Sequence, residues 1–484
     1  MSMSGEALIV IDQGTSSTKA FLFDSDLQPL YSKKVNHAVS RPKPRWVESD
    51  PSDIVHACQS LISELTRVCS SESLIPSALG MAFQRSTFLF WDKTTAEPLS
   101  PAISWQDTRA GQITDALKDH GEWIQQTTGI PLSPHFGGPK FLFSLQNDAD
   151  LASRVRAGNV FYGPLSAFVT QRITGQALID ESIAGRSLLM NLHKLEWSQR
   201  LMDLFELPGH VLPPLSPTLT DFGSLAEVGS PPLKCVMGDQ QASLIGQGRW
   251  KVGDAAMNFG TSGSVLVNSG REPVVVPSLL SNVLYSDEDS HHFLLEGTIN
   301  SVSSLFKWLE DYLTIPHEDM KWYERCGGST KGIVIPGING ISAPYWTGEF
   351  ETVILGLGES DHPDHFVRAS MESIGLLVHD ICDVMDNKGG IRLEDIVASG
   401  GSSRQPLLQF IADLLGRNVW SSAGKDMTAL GVAKLMAHHE WGKPLTELMG
   451  DRDEKFSPDL DTKERLEKVS AWRDALRKLD ITDR

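Results

Sequence analysis

The first apolar run of the chain is interrupted. Val10-Ile11 and Ala20-Phe21-Leu22-Phe23 have strand character, and between them Asp12-Gln13-Gly14-Thr15-Ser16-Ser17-Thr18 has the composition of a turn. Further along, residues 79–82, 86–91, 255–259, 264–267, 332–335 and 396–398 read as strands. Apolar periodicity predicts helices over 52–69, 365–385, 406–415 and 429–439, with a charged one over 462–478. Strand-like and helix-like segments alternate throughout, which predicts an α/β architecture.

The interrupted run occurs twice. Residues 12–24 read DQGTSSTKAFLFD and residues 258–270 read NFGTSGSVLVNSG. Each has Asp or Asn, a spacer, Gly-Thr-Ser, a small polar linker and then an apolar strand. A repeat about half a chain apart predicts two related lobes. Proline punctuation at 212–217 and at Pro231-Pro232 precedes the second copy, so the boundary is expected near residue 245, dividing the chain into 1–245 and 246–484. At 484 residues, one core is not enough.

Charge then narrows the partners. With 43 basic and 61 acidic residues, a formal charge of −18, non-specific binding to nucleic acid or to an anionic membrane is disfavoured. No apolar stretch approaches a membrane span, and the first apolar run is short and contains Asp12, unlike a signal peptide. The five cysteines are scattered and form no CxxC, which argues against a disulfide framework or zinc site and for a reducing, cytoplasmic setting.

Two hairpins rich in Gly, Thr and Ser are suited to phosphate. Glycine lets the backbone approach closely, and hydroxyls and amides donate to phosphate oxygens. Either loop alone would suit an ordinary hairpin; the matched pair favours phosphate. Asp12 can hold magnesium through water beside nucleotide phosphates, whereas Asn258 lacks that charge. No Walker loop, protein-kinase H-R-D or dinucleotide glycine motif is present. His291-His292 and His438-His439 lack metal-ligand spacing and read as surface pairs. In MGDQQASLIGQG, residues 237–248, Asp239 suits a helix cap and also a carboxylate able to take a proton from a substrate hydroxyl. In ASGGSSRQP, from residue 398, a strand meets Gly400-Gly401 and then a helix, a junction on which an adenine or ribose can lie.

Together these segments resemble the FGGY family of carbohydrate kinases, of the actin/Hsp70-like ATPase superfamily, over nearly the whole chain. Segments 83–110, 238–248 and 341–357 are similar to glycerol kinases within it, and 428–437 resembles the family's C-terminal helix. The resemblance implies two actin-like (ribonuclease H-like) α/β lobes with mixed sheets, helices and a central cleft, acting as an ATP- and Mg-dependent kinase on a small sugar or polyol. It implies acceptor binding mainly by the first lobe, ATP binding mainly by the second, and possible assembly as a dimer or tetramer. On it, Asp239 matches the catalytic base and Asp12 the metal-associated carboxylate. Thr15, Ser16, Ser17 and Lys19 match the first phosphate loop, Gly260 and Thr261 the second, and Gly400, Gly401 and Gln405 the adenosine site. Arg85, Trp105 and Gln240 match acceptor-pocket positions.

The match breaks inside that pocket. Ser86 stands where glycerol kinases have Glu, His135 where they have Tyr, and Ser264 where an aromatic packs on the glycerol carbons. Outside it, Lys19 replaces an Arg and Gln405 an Asn. Losing hydroxyl partners and gaining volume predicts a longer or differently substituted polyol, or a ketose, phosphorylated at a terminal hydroxyl. Compensation by neighbours, with glycerol retained, is the competing expectation. An acceptor-independent ATPase or a nucleotide-dependent scaffold of the same fold are the others.

Overall fold

The computed structural model describes residues 5–225, 229–348 and 350–482. Its first sheet is built from β1 (Glu6–Gln13), β2 (Ser17–Asp24), β3 (Pro29–Asn36), β4 (Ile75–Phe83) and β5 (Leu233–Gly238), in the order β5-β4-β1-β2-β3. The first three strands run antiparallel, while β4 and β5 run parallel to β1. Helix α1 (Pro51–Ser71) follows, its start fixed by Pro51 and by the Asp50 carboxylate, which accepts from Ser52 N–H.

A larger second sheet contains β6 (Asp254–Phe259), β7 (Gly263–Gly270), β8 (Leu280–Ser286), β9 (His291–Ile299), β10 (Asp395–Ser399), β11 (Val419–Ser422) and β12 (Arg452–Phe456), ordered β8-β9-β7-β6-β10-β11-β12. Its middle five strands repeat the first sheet: β6 and β7 form a hairpin, β9 joins β7 antiparallel, and β10 and β11 continue parallel on the other side of β6. The sequence echo is thus a fold echo.

Both faces of β1 are buried, and its side chains alternate between two cores. Ala7, Ile9 and Ile11 join Ile54, Cys58 and Leu61 of α1. Leu8 and Val10 face a different cluster, shared by the two lobes, which also holds Ala256 and Leu266 of the second hairpin. Two helices pass through that shared cluster: α2 (Asp239–Gly246) and, much later in the chain, α6 (Met427–Trp441). They cross at glycine, since a Cβ on Gly246 would lie 1.9 Å from the Met427 carbonyl oxygen and one on Gly431 would lie 1.8 Å from that of Ala242. The second lobe's own core gathers around α4 (Pro363–Asn387), with α3 (Ser303–Leu313), α5 (Gln405–Leu415) and α7 (Thr462–Arg477) beside it.

The five predicted helices are present. The strand expected over 86–91 begins at Phe88, because Ser86 is in the left-handed region at φ 61°, outside strand geometry. The paired histidines are not a uniform surface feature: only His439 is exposed, His292 stacks on Tyr285, and His291 Nε2 lies 3.1 Å from the Glu181 carboxylate. Among the described residues no helix is long and apolar enough to cross a membrane.

Candidate active site

The two hairpins share one local design. In each, the loop glycine donates its N–H to a carbonyl across the loop, Gly14 to Ser17 and Gly260 to Ser262, both at 2.9 Å. The second loop is one residue shorter: Gln13 pairs with Thr18, but Phe259 pairs with Gly263. Directly across the first hairpin stand Asp12 and Lys19; the corresponding cross-strand pair in the second is Asn258 and Ser264. Carbonyls of Gly260 and Thr261 accept from Ser303 and Val302 N–H at the start of α3, anchoring the second loop.

Asp239 is the first residue of α2, directly after β5. Its carboxylate accepts from the adjacent Gln240 N–H at 2.7 Å, and the capping position itself is Gly238, so Asp239 is not a conventional cap. The base of this turn is anchored in the interior: Ser182 hydroxyl accepts from Gly238 N–H at 3.0 Å and donates to buried Asp180. Burial pushes the Asp239 carboxyl above the ordinary aspartate range, against the opposing charge of Arg85.

Arg85 organises the junction. Its two terminal nitrogens form a fork on Glu296 at 2.7 and 2.9 Å, and its Nε lies 3.4 Å from Asp239 Oδ1. Glu296 belongs to β9 of the second sheet and also accepts from buried Arg186. Burial alone would raise the Glu296 carboxyl, but Arg186 and Arg85 outweigh it and hold it down at about 2. The Asp12 carboxyl is pushed up to about 7 by burial and by the negative charge of Asp239, with Lys19 opposing and Asp426 adding to the rise. Asp12 and Asp239 therefore lie close enough to repel each other, and Lys19 and Arg85 only partly offset the cost of burying them.

Of the residues expected to face an acceptor, Ser86, Trp105 and His135 are tied into one region by hydrogen bonds. Ser86 is buried, and its carbonyl accepts from Lys140 Nζ at 2.8 Å; the same ammonium donates to the Ser104 carbonyl at 2.7 Å. His135 Nδ1 lies 2.8 Å from the Trp105 carbonyl, which can only accept, so the proton is on Nδ1 and Nε2 presents a lone pair. Burial holds that imidazole below the ordinary histidine range, in its neutral form. The Trp105 indole N–H donates to Thr15 Oγ1 at 2.8 Å, tying this region to the first hairpin loop. Ser264 hydroxyl reaches Gln240 Oε1 only at 3.5 Å.

A cavity of about 850 Å³ opens in the second lobe, lined by Asn258, Gly400, Gly401, Gln405, Asp426 and Tyr323 among others. Gly400 has φ 101°, and its missing side chain lets the turn pass the Asn258 amide and the Phe259 carbonyl, which a Cβ would meet at 2.7 and 2.4 Å. Gln405 is the first residue of α5. Neither the 14–17 loop nor Gly260-Thr261 lines the cavity; its links to the hairpins are Asn258 and Asp426, whose carboxylate takes a 2.6 Å hydrogen bond from Lys19 Nζ.

Sequence reasoning missed Glu296, Arg186, Asp426 and the Tyr323–Arg404 pair, whose guanidinium lies 5.2 Å from the ring centroid on the cavity wall. For Glu296 a signal existed, a lone carboxylate inside the apolar strand His291–Ile299. No group of three or more His, Cys, Asp or Glu placed to hold a metal occurs among the described residues.

Comparison with known proteins decides the family. The model of the FGGY carbohydrate kinase N-terminal domain matches residues 7–246, and that of the C-terminal domain matches 255–440. The chain belongs to the FGGY family of carbohydrate kinases. It is a phosphotransferase with an alcohol group as acceptor, in the sugar and polyol kinase class. Among its FGGY relatives, a glycerol kinase of Halothermothrix orenii is 30% identical, covering 98% of both chains. One of Pseudarthrobacter chlorophenolicus is 32% identical, covering 97% of both. The solved structure of Plasmodium falciparum glycerol kinase with ADP superposes with a TM-score of 0.91 at 28% identity, covering 99% of each chain. A xylulose kinase of Lactobacillus acidophilus, at 21% identity and TM-score 0.88 over 98% of each chain, shares the two-lobed fold.

Proposed function

We propose that this kinase transfers the terminal phosphoryl group of ATP to a terminal hydroxyl of a polyol or ketose other than glycerol, with Asp239 as general base. The observation that carries this reading is the Asp239 carboxylate itself, at the start of α2, 3.4 Å from an Arg85 already committed to Glu296. A base raised above the ordinary aspartate range is better matched to taking an alcohol proton. Within the reading, residues 1–245 hold the acceptor and residues 246–484 the nucleotide. The acceptor lies against Arg85, Ser86, Trp105, His135, Gln240 and Ser264, and the adenosine against Gly400, Gly401 and Gln405. Thr15, Ser16, Ser17, Lys19, Gly260 and Thr261 meet the phosphates.

A magnesium ion fits Asp12. Its carboxyl is raised to about 7 among other carboxylates, the electrostatic condition that a bound cation relieves. Magnesium is commonly held by one or two carboxylates, waters and substrate phosphates, so a preformed cage of three protein ligands is not required. When bound it neutralises charge on the transferring phosphoryl group. The chain's own contribution is to orient the alcohol against Asp239, accept its proton at the carboxylate, and exclude water on closure. The buried, unbridged cysteines suit a cytoplasmic enzyme.

Ser86 and Ser264 underlie the choice of acceptor. Both are buried and short where relatives of glycerol-specific design are expected to carry a carboxylate and an aromatic. Glycerol itself is the second reading, favoured by glycerol kinases at 30–32% identity over nearly the full chain. Coupled ADP release with glycerol, erythritol, ribitol, xylitol, ribulose and xylulose separates the two. A higher kcat/KM for a four- or five-carbon acceptor supports the first reading. The highest value for glycerol supports the second, and acceptor-independent ADP release contradicts both.

A further inference from the structure

Asp426 immediately precedes α6, with its backbone in the left-handed region at φ 52° and ψ 43°. An aspartate before a helix ordinarily turns its carboxylate onto the first free N–H groups. Here it makes no such bond. Its Oδ1 instead accepts from Lys19 Nζ at 2.6 Å, a residue 407 positions earlier in the chain. The two side chains are 36% and 37% exposed, so the pair itself adds little to stability. A forgone cap and an unfavourable backbone conformation are thus maintained for a contact that stability does not explain, the circumstance in which a functional role is the better account.

The location supplies one. Lys19 lies across the first hairpin from Asp12, and Asp426 lines the nucleotide cavity. The hairpin is held from both sides, by Trp105 on Thr15 at its tip and by Asp426 on Lys19 along its second strand. A lysine carries a point charge on a flexible stem and, unlike arginine, has no rigid fork to set its direction.

We propose that Asp426 is a positioning residue that aims the Lys19 ammonium from the first hairpin at the terminal phosphate of the nucleotide. This rests on the assignment of Lys19 to phosphate binding made above. The ammonium has three donors, so it can keep Asp426 while donating to a phosphate oxygen. Pre-aiming it reduces the ordering required when the nucleotide arrives.

The test is a double-mutant cycle with Lys19→Met and Asp426→Asn, measuring kcat, both KM values and Tm. Asparagine tolerates the left-handed region, so Asp426→Asn should keep the fold and the wild-type Tm. The expected result is a kcat lowered roughly tenfold in Asp426→Asn, an acceptor KM within about twofold of wild type, and a double variant no slower than Lys19→Met alone. Partial recovery in Asp426→Glu, which keeps the charge, is also expected. An Asp426→Asn enzyme at wild-type kcat beside an impaired Lys19→Met, or losses that multiply in the double variant, overturns the role of Asp426. A Lys19→Met enzyme with wild-type kcat and ATP KM overturns the phosphate assignment beneath it.

Discussion

The β1–β2 and β6–β7 hairpins have the same fold position and the same glycine-to-carbonyl closure, yet they differ in charge. Asp12 faces Lys19 in the first, and Asn258 faces Ser264 in the second. The backbone was kept in both lobes while ionisable groups were confined to one. Burial and the charge of Asp239 already push the Asp12 carboxyl up to about 7, and a carboxylate at position 258 would add negative charge to a cavity wall that already carries Asp426. The proposed division follows: charged chemistry at the first hairpin, neutral support of the nucleotide at the second.

The largest stability effect expected concerns Glu296, a carboxylate that the second sheet sends to the first lobe. Glu296→Gln leaves Arg85 and Arg186 without their buried counterion and should cost about 3–5 kcal/mol in chemical denaturation. Its pH signature has a definite sign. A carboxylate held at about 2 when folded, below its ordinary 4.5, contributes stability present above 4.5 and lost as pH falls from there through about 2. The variant should therefore lose less stability than wild type across that acid window.

Neutralising the charged hairpin comes next. Asp12→Asn should lower kcat by about 10²–10³ and raise the magnesium concentration needed for half activity, measured by magnesium titration of ADP release. The converse change, Asn258→Asp, puts a carboxylate in the wall of the proposed nucleotide cavity and should raise the ATP KM about tenfold while sparing the acceptor KM. Equal kinetics in Asn258→Asp and wild type would break the comparison. The smallest effect tests the loop glycine: a Cβ on Gly260 meets nothing closer than 3.7 Å, so Gly260→Ala should shift stability by less than about 1 kcal/mol yet raise the ATP KM.

Much of this was legible in the sequence because it is local. The helices over 365–385 and 406–415 follow from periodicity and proline, and the repeated loop betrayed the repeated lobe. The ungapped echo nevertheless aligns Lys19 with Val265, whereas the structure places Ser264 opposite Asn258, because the second loop is a residue shorter. Ser86 hid its strand break, since nothing in a serine announces φ 61°. Glu296 showed only as a lone acid in an apolar strand and Asp426 not at all, because Arg85 and Lys19 lie 211 and 407 residues from them and an isolated acid takes meaning only from what it meets.

The most direct test of the account is acceptor-stimulated ADP release by Asp239→Asn beside wild type, with ADP binding to both followed by calorimetry. The account predicts wild-type-like ADP binding and a kcat lower by about 10²–10⁴ in the variant, with the wild-type acid limb of kcat/KM lying above the ordinary aspartate value of 3.8. An Asp239→Asn enzyme that still phosphorylates its acceptor at the wild-type rate would contradict it.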